Sequence, residues 1–226
     1  FVKKVYRKRN IIFLFEDVMI LKKAALYIHG KGGSHLEAEQ YQKNCPGFDM
    51  IGVDYPVDFP WIVQNQIKEA YDKACKEYEK IVLIANSIGA YFAMHTLQNC
   101  HIEKALFISP ILDMEKLITD MLHWANVSEK QLCERGEIST NFGETLYWKY
   151  LCFVRENPIN WHIPTEILYG KKDNMTSYET VVEFVNSHNA HVTVMEEGQH
   201  WFHTKKELLF LDNWMKRAML CENIEK

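Results

Sequence analysis

The strongest constraint on this chain is a repeated alternation of short apolar runs with segments of helical periodicity. The runs are "AALYIHG" at 24–30, "FDMIGVDYP" at 48–56, "IVLIA" at 81–85, "KALFISP" at 104–110, "TEILYGKKD" at 165–173 and "HVTVMEEG" at 191–198. Each holds a short apolar stretch bounded by polar or turn residues, as expected of a strand in a covered sheet. Helices are expected at 34–44, with Ser34 as N-cap and Glu37 as its capping-box partner, and at 61–80, where Ile62, Ile67, Ala70, Tyr71 and Ala74 recur at helical spacing. Further helices are expected near 88–98, 177–188 and 204–219. Strands alternating with helices predict a three-layer α/β/α sandwich around a mostly parallel sheet. In such sheets, ligands meet the carboxyl ends of the strands. The residues following each run are therefore the ones to inspect.

Bulk properties narrow the classes. The 226 residues carry a net charge of -4, with 47% apolar and 25% charged residues. That supports one core and gives no basic surplus for a nucleic-acid partner. No apolar run approaches a membrane span. The segment "KKVYRKRNIIFLF" has the order of a signal peptide, but Glu16 and Asp17 cut its apolar run short. Residues 1–18 are read as an extra strand or as an extension outside the core. The six cysteines are widely and irregularly spaced with no C-x-x-C pair. They read as reduced thiols in a cytoplasmic protein and point to no metal site.

The alternation breaks between Ile111 and Ile163. "MEKLITDMLHWANV" and "GETLYWKYLCFVREN" read as helices around a polar piece, "SEKQLCERGEIST". The chain is expected to form one domain over 1–226, with 111–163 a helical cap insertion; extra helices packed on the sheet are the alternative. Leu112, Leu117, Met121, Trp124, Trp148 and Phe153 are candidate cap residues, and Trp124 and Trp148 are candidate substrate contacts.

Chemistry gathers at the strand ends. "IVLIANSIGAYFAM" places Ser87 at a strand-to-helix turn between Ala85 and Gly89. Small residues two before and two after a serine allow a turn sharp enough to present its hydroxyl. A plain helix N-cap is the other reading of Ser87. The first strand ends in "HGKGGS", where glycines free backbone N–H groups to point outward. It is neither G-x-G-x-x-G nor a Walker sequence, which disfavours a nucleotide-binding protein. Asp173 follows the strand "TEILYG", and His200 stands in the loop before the last helix, with His203 and Asp113 as rivals. The order Ser, Asp, His after successive strands gives these weak signals joint weight.

With these segments the chain resembles the α/β-hydrolase superfamily over about residues 24–218. "YIHGKGGS" looks like its oxyanion-loop strand end, "IANSIGAYFAM" like its nucleophile elbow, "LYGKKDNM" and "GQHWF" like its acid and histidine loops. Ala85 departs from the usual G-x-S-x-G by one methyl group. The resemblance implies Ser87, His200 and Asp173 as a catalytic triad, backbone N–H groups of Ile88 and Lys31 as oxyanion donors, and His29, Gly30 and Gly32 as loop support. It implies hydrolysis of a small-molecule carboxylic ester or thioester through an acyl enzyme, without metal or organic cofactor. Amide, lactone and carbon–carbon bonds could use the same triad, and a binding module that retains the fold without turnover is the alternative.

Overall fold

A computed structural model describes residues 4–8, 11–15 and 21–220 of the chain. Two short strands, β1 (Lys4–Lys8) and β2 (Ile11–Phe15), pair antiparallel with each other in a sheet of their own. Met19 and Cys221 lie outside the described residues.

The main sheet has six strands: β3 (Lys23–Ile28), β4 (Asp49–Gly52), β5 (Lys80–Asn86), β6 (Ala105–Ile108), β9 (Thr165–Gly170) and β10 (Ala190–Met195). Their spatial order is β10-β9-β6-β5-β3-β4, and every pairing is parallel. The chain leaves β3 toward β4 on one side, then returns to place β5 on the other. The direction of winding therefore reverses between β3 and β5, which opens a crevice at their carboxyl ends.

Alternation within each strand assigns the two faces. Leu26, Ile28, Leu83, Ala85, Phe107 and Ile167 belong to one buried cluster; Ala25, Tyr27, Val82, Ile84, Leu106 and Leu168 belong to the other. The first face is covered by α2 (Pro60–Glu77), α3 (Ile88–Leu97) and α7 (Tyr178–Ser187). The second is covered by α1 (Ala38–Tyr41) and α8 (Lys205–Leu220). This is the expected three-layer sandwich.

Two helices differ in detail from expectation. The buried seam of α2 is Val63, Ile67, Tyr71 and Ala74, while Ile62 is partly exposed. The segment 34–44 is no continuous helix: α1 lies between two 3₁₀ turns, His35–Glu37 and Gln42–Asn44. Ser34 makes no side-chain cap there, and Glu37 accepts from the Tyr27 hydroxyl at 2.6 Å instead. A tertiary hydrogen bond has displaced the local capping box.

Between β6 and β9 the chain forms α4 (Met114–Trp124), α5 (Glu129–Arg135), strands β7 (Glu137–Ser139) and β8 (Thr145–Tyr147), and α6 (Trp148–Glu156). The helical reading of 111–163 thus needs correction at 137–147, where β7 and β8 form an antiparallel ribbon. Ile138 opposes Leu146 in that ribbon, and both pack with Leu122 and Leu132 in a small cluster of their own. The polar segment "SEKQLCERGEIST" also yields a third helix, α5. Ser128 and Gln131 form its capping box. An aromatic cluster ties the insertion to α2. Phe59 stacks on Trp61 at 4.6 Å and meets Tyr147 at 4.9 Å and Tyr150 at 5.6 Å between ring centres.

Among the described residues, no helix is long and apolar enough to cross a membrane, and no cluster of His, Cys, Asp and Glu is arranged to hold a metal. Cys45, Cys75, Cys100, Cys133 and Cys152 are free thiols.

Candidate active site

Ser87 follows β5 and precedes α3 with φ 53° and ψ -124°, a conformation costly for a non-glycine residue. Its backbone is held from several sides: its N–H donates to the Ile108 carbonyl at 3.0 Å, and its carbonyl accepts from Ala90 and Ile111 at 3.1 Å each. Its side chain makes no capping bond to α3, so the N-cap reading of Ser87 does not describe the structure.

Gly89 is required where it stands. A Cβ there would lie 2.5 Å from the His29 carbonyl oxygen and 2.6 Å from that of Ile28. Only glycine lets α3 begin against the end of β3. Ala85 is fully buried within β5, between Ile28 and Phe107 in register, with its methyl in the core cluster. The departure from the five-residue pattern is absorbed by packing.

The histidine and acid loops meet this turn. Ser87 Oγ lies 2.8 Å from His200 Nε2, and His200 Nδ1 lies 2.7 Å from Asp173 Oδ2. An ionised carboxylate only accepts, so Nδ1 carries the proton and donates it; Nε2 is left to accept from the Ser87 hydroxyl. The Asp173 side chain is fully buried. Its other oxygen accepts from the backbone N–H groups of Met175 at 2.7 Å and Thr176 at 3.0 Å, which fixes the carboxylate plane.

The rivals stand elsewhere. Asp113 is exposed and caps α4 by accepting from Lys116 N–H at 2.8 Å. The His203 ring is exposed, stacks on Trp201 at 4.8 Å, and its Nδ1 meets the Trp201 carbonyl at 2.7 Å.

The loop after β3 runs against the serine turn. A Cβ on Gly30 would lie 3.1 Å from both Asn86 O and Ser87 Cβ, and Gly32 has a φ of 77°. His29 is buried. Its Nδ1 faces Gly30 O at 3.0 Å, its ring stacks on Tyr55 at 4.4 Å, and the Tyr55 hydroxyl donates to its carbonyl. Lys31 is exposed, and its Nζ donates to both oxygens of Glu144 at 2.6 Å, bridging this loop to the turn between β7 and β8. Ile88 is the first residue of α3, where N–H groups have no acceptor within the helix. Tyr55 and Glu144 carry no local signal in the sequence, because their partners His29 and Lys31 come from distant segments.

Two cavities among the described residues are of similar size. One of about 350 Å³ is lined by Tyr91, Leu112, Met114, Val154, Ile159 and Phe184 among others. The other, of about 380 Å³, is lined by Glu37, Tyr41, Asn86, Ile108, Trp201 and Leu211 among others. The second lies between α1, α8 and the loop after His200; Ser87, Asp173 and His200 line neither cavity. Trp124 and Trp148 line neither: Trp124 is exposed beside Phe142, and Trp148 packs against the core.

Solved structures share this architecture. Est1E from Butyrivibrio proteoclasticus is 16% identical, with a TM-score of 0.68 over 96% of this chain and 97% of that one. Alpha/beta hydrolase domain-containing protein 10 from mouse is 13% identical, with a TM-score of 0.68 over 96% and 98% of the two chains. An esterase from Pyrococcus furiosus is 18% identical, with a TM-score of 0.57 over 87% and 79%. At such identities the likeness establishes the α/β-hydrolase fold. No curated protein matches the sequence at a significant level. The profile of UPF0227, an uncharacterised protein family, matches residues 24–210, and the chain belongs to that family.

Proposed function

We propose that the protein is a serine hydrolase acting on a small carboxylic ester or thioester. The observation that carries this reading is the continuous hydrogen-bonded line from Ser87 Oγ through His200 to the buried Asp173 carboxylate. Its order along the chain and its position at the strand ends fit the fold. The resemblance to an esterase on the same fold supports the choice of bond.

In this reading His200 Nε2 takes the Ser87 proton as Oγ attacks the acyl carbonyl. Asp173 holds the imidazole in the required tautomer and stabilises the imidazolium that forms. The backbone N–H groups of Ile88 and Lys31 receive the oxyanion; such donors each contribute about 3 kcal/mol to transition-state stabilisation. His200 then protonates the leaving alcohol or thiol. It next activates a water that attacks the acyl enzyme and returns Ser87 to its hydroxyl form. No metal or organic cofactor enters these steps. Insertion 111–163, joined to the loop after β3 by the Lys31–Glu144 ion pair, serves as the cap.

The test is covalent labelling. A fluorophosphonate probe is expected to modify the wild type and to fail on Ser87→Ala, with turnover of p-nitrophenyl acetate lost in parallel. Persistent labelling of Ser87→Ala would remove Ser87 as nucleophile. A panel of acyl esters and thioesters of graded chain length then identifies the acyl group the site admits.

A further inference from the structure

The loop carrying His200 is held by a carboxylate outside the Ser87–His200–Asp173 line. Glu207, in the first turn of α8, is buried. Its Oε2 accepts from Thr204 N–H at 2.9 Å, Thr204 Oγ1 at 2.7 Å and His203 N–H at 3.3 Å. Its Oε1 accepts from Gln199 N–H at 3.2 Å. Thr204 Oγ1 in turn accepts from Glu207 N–H at 3.3 Å, which completes a helix capping box.

A capping box needs only the bonds between Thr204 and Glu207. The bond from Oε1 goes further: it reaches the residue immediately before His200, while Oε2 holds residues after it. One carboxylate thus grips the loop on both sides of the imidazole. The remaining flank is tied by Lys172 N–H, which donates to the Gly198 carbonyl at 2.8 Å. Lys172 precedes Asp173, so the acid loop and the histidine loop are joined there. The titratable side chain facing the carboxylate is His203, whose Nδ1 lies 3.7 Å from Oε2 and whose ring is exposed.

We infer that Glu207 is a positioning residue for His200: it fixes the loop so that Nε2 meets the serine hydroxyl while Nδ1 meets Asp173. This rests on the hydrolase reading above. Burial works against a charge on Glu207, but the hydrogen bonds from Thr204, Gln199 and His203 outweigh it and hold the acid at about 2. The carboxylate is therefore ionised wherever such an enzyme would work, with both oxygens available to accept. Glutamine keeps one acceptor oxygen and turns the other into a donor, so it can satisfy the helix cap or Gln199, not both.

Glu207→Gln is expected to lower kcat about tenfold with KM within about twofold, because orientation of the base is lost and ground-state binding is not. The downfield proton resonance of His200 Nδ1–H is expected to shift or broaden. Ser128→Ala, which removes the cap of α5, serves as the stability control: its melting temperature falls and its kcat does not. Should Glu207→Gln fail to fold, Glu207→Asp keeps the charge but draws the carboxylate back by one methylene from Gln199 N–H, and carries the same expectation. A folded Glu207→Gln with wild-type kcat and an unchanged His200 resonance overturns the inference. If the wild type is neither labelled nor active on esters, the hydrolase reading has failed on its own. The resonance then still decides the clamp: a shift in the variant supports it, and an unchanged signal overturns it.

Discussion

Two aspartates separated the readings of the site, and their surroundings assign each a job. Asp173 is buried and bonded to His200; Asp113 caps a helix. Asp173→Asn is expected to lower kcat by about three to four orders of magnitude, since the amide can stabilise the wrong imidazole tautomer. Asp113→Asn should leave both kcat and stability close to wild type, because asparagine caps helices about as well. Steady-state kinetics of the two variants, side by side, checks this; a large loss at Asp113 would reverse the assignment. Gly89 makes a second prediction at this scale. With two backbone oxygens closer than 2.7 Å to any added Cβ, Gly89→Ala must move α3 away from β3. A loss of about 1–3 kcal/mol in urea unfolding is expected from such overpacking. All three residues were visible in the sequence. What could not be seen was their surroundings: a carboxylate looks the same whether it caps a helix or faces a histidine 27 positions away.

Among the elements, the long ones were legible and the short ones were not. The core strands show in the sequence as apolar runs because both sheet faces are covered. The ribbon of β7 and β8 was hidden because its strands are three residues each, too short for alternation to register. The helix expected at 34–44 broke up because the segment's acid bonds to Tyr27 across the fold, a partner no local rule supplies. The capping box that does form around α5 depends only on neighbours in sequence. Ser128→Ala should therefore cost about 1 kcal/mol of stability, measured by thermal or urea unfolding, with the rest of the fold unchanged. The same local signal, Thr204 followed three residues later by Glu207 in "TKKE", stands before α8. It announces a helix start; that its second oxygen extends to Gln199 is a tertiary fact.

For the whole molecule, burial links stability to acid. Desolvation lowers the pKa of His95 from its usual 6.5, so the folded protein resists its protonation. Glu207 is held at about 2, and Asp212 is lowered as well, since hydrogen bonds from Lys43 and Asn44 overcome its burial. All three shifts are downward. Each contributes stability that is present above the unfolded pKa and is lost as pH falls toward the folded one. Stability should begin to decline below about pH 6.5 through His95 and fall further below about pH 4.5 through the carboxylates. Urea midpoints taken across this range check it, and the lower stage should flatten in Glu207→Gln. Parallel declines in wild type and variant would show that Glu207 does not carry that stage.

The sequence by itself determined the layered α/β architecture, the parallel sheet and the strand ends at which chemistry had to be sought. Those follow from local periodicity, from the length of apolar runs and from small residues at sharp turns, all of which act between near neighbours. Tertiary structure alone decided which aspartate and which histidine stand with Ser87, that the insertion contains a β-ribbon, and that Glu207 grips the histidine loop. These depend on distances between segments far apart in the chain, and only the packing of the strands around the crevice between β3 and β5 sets them.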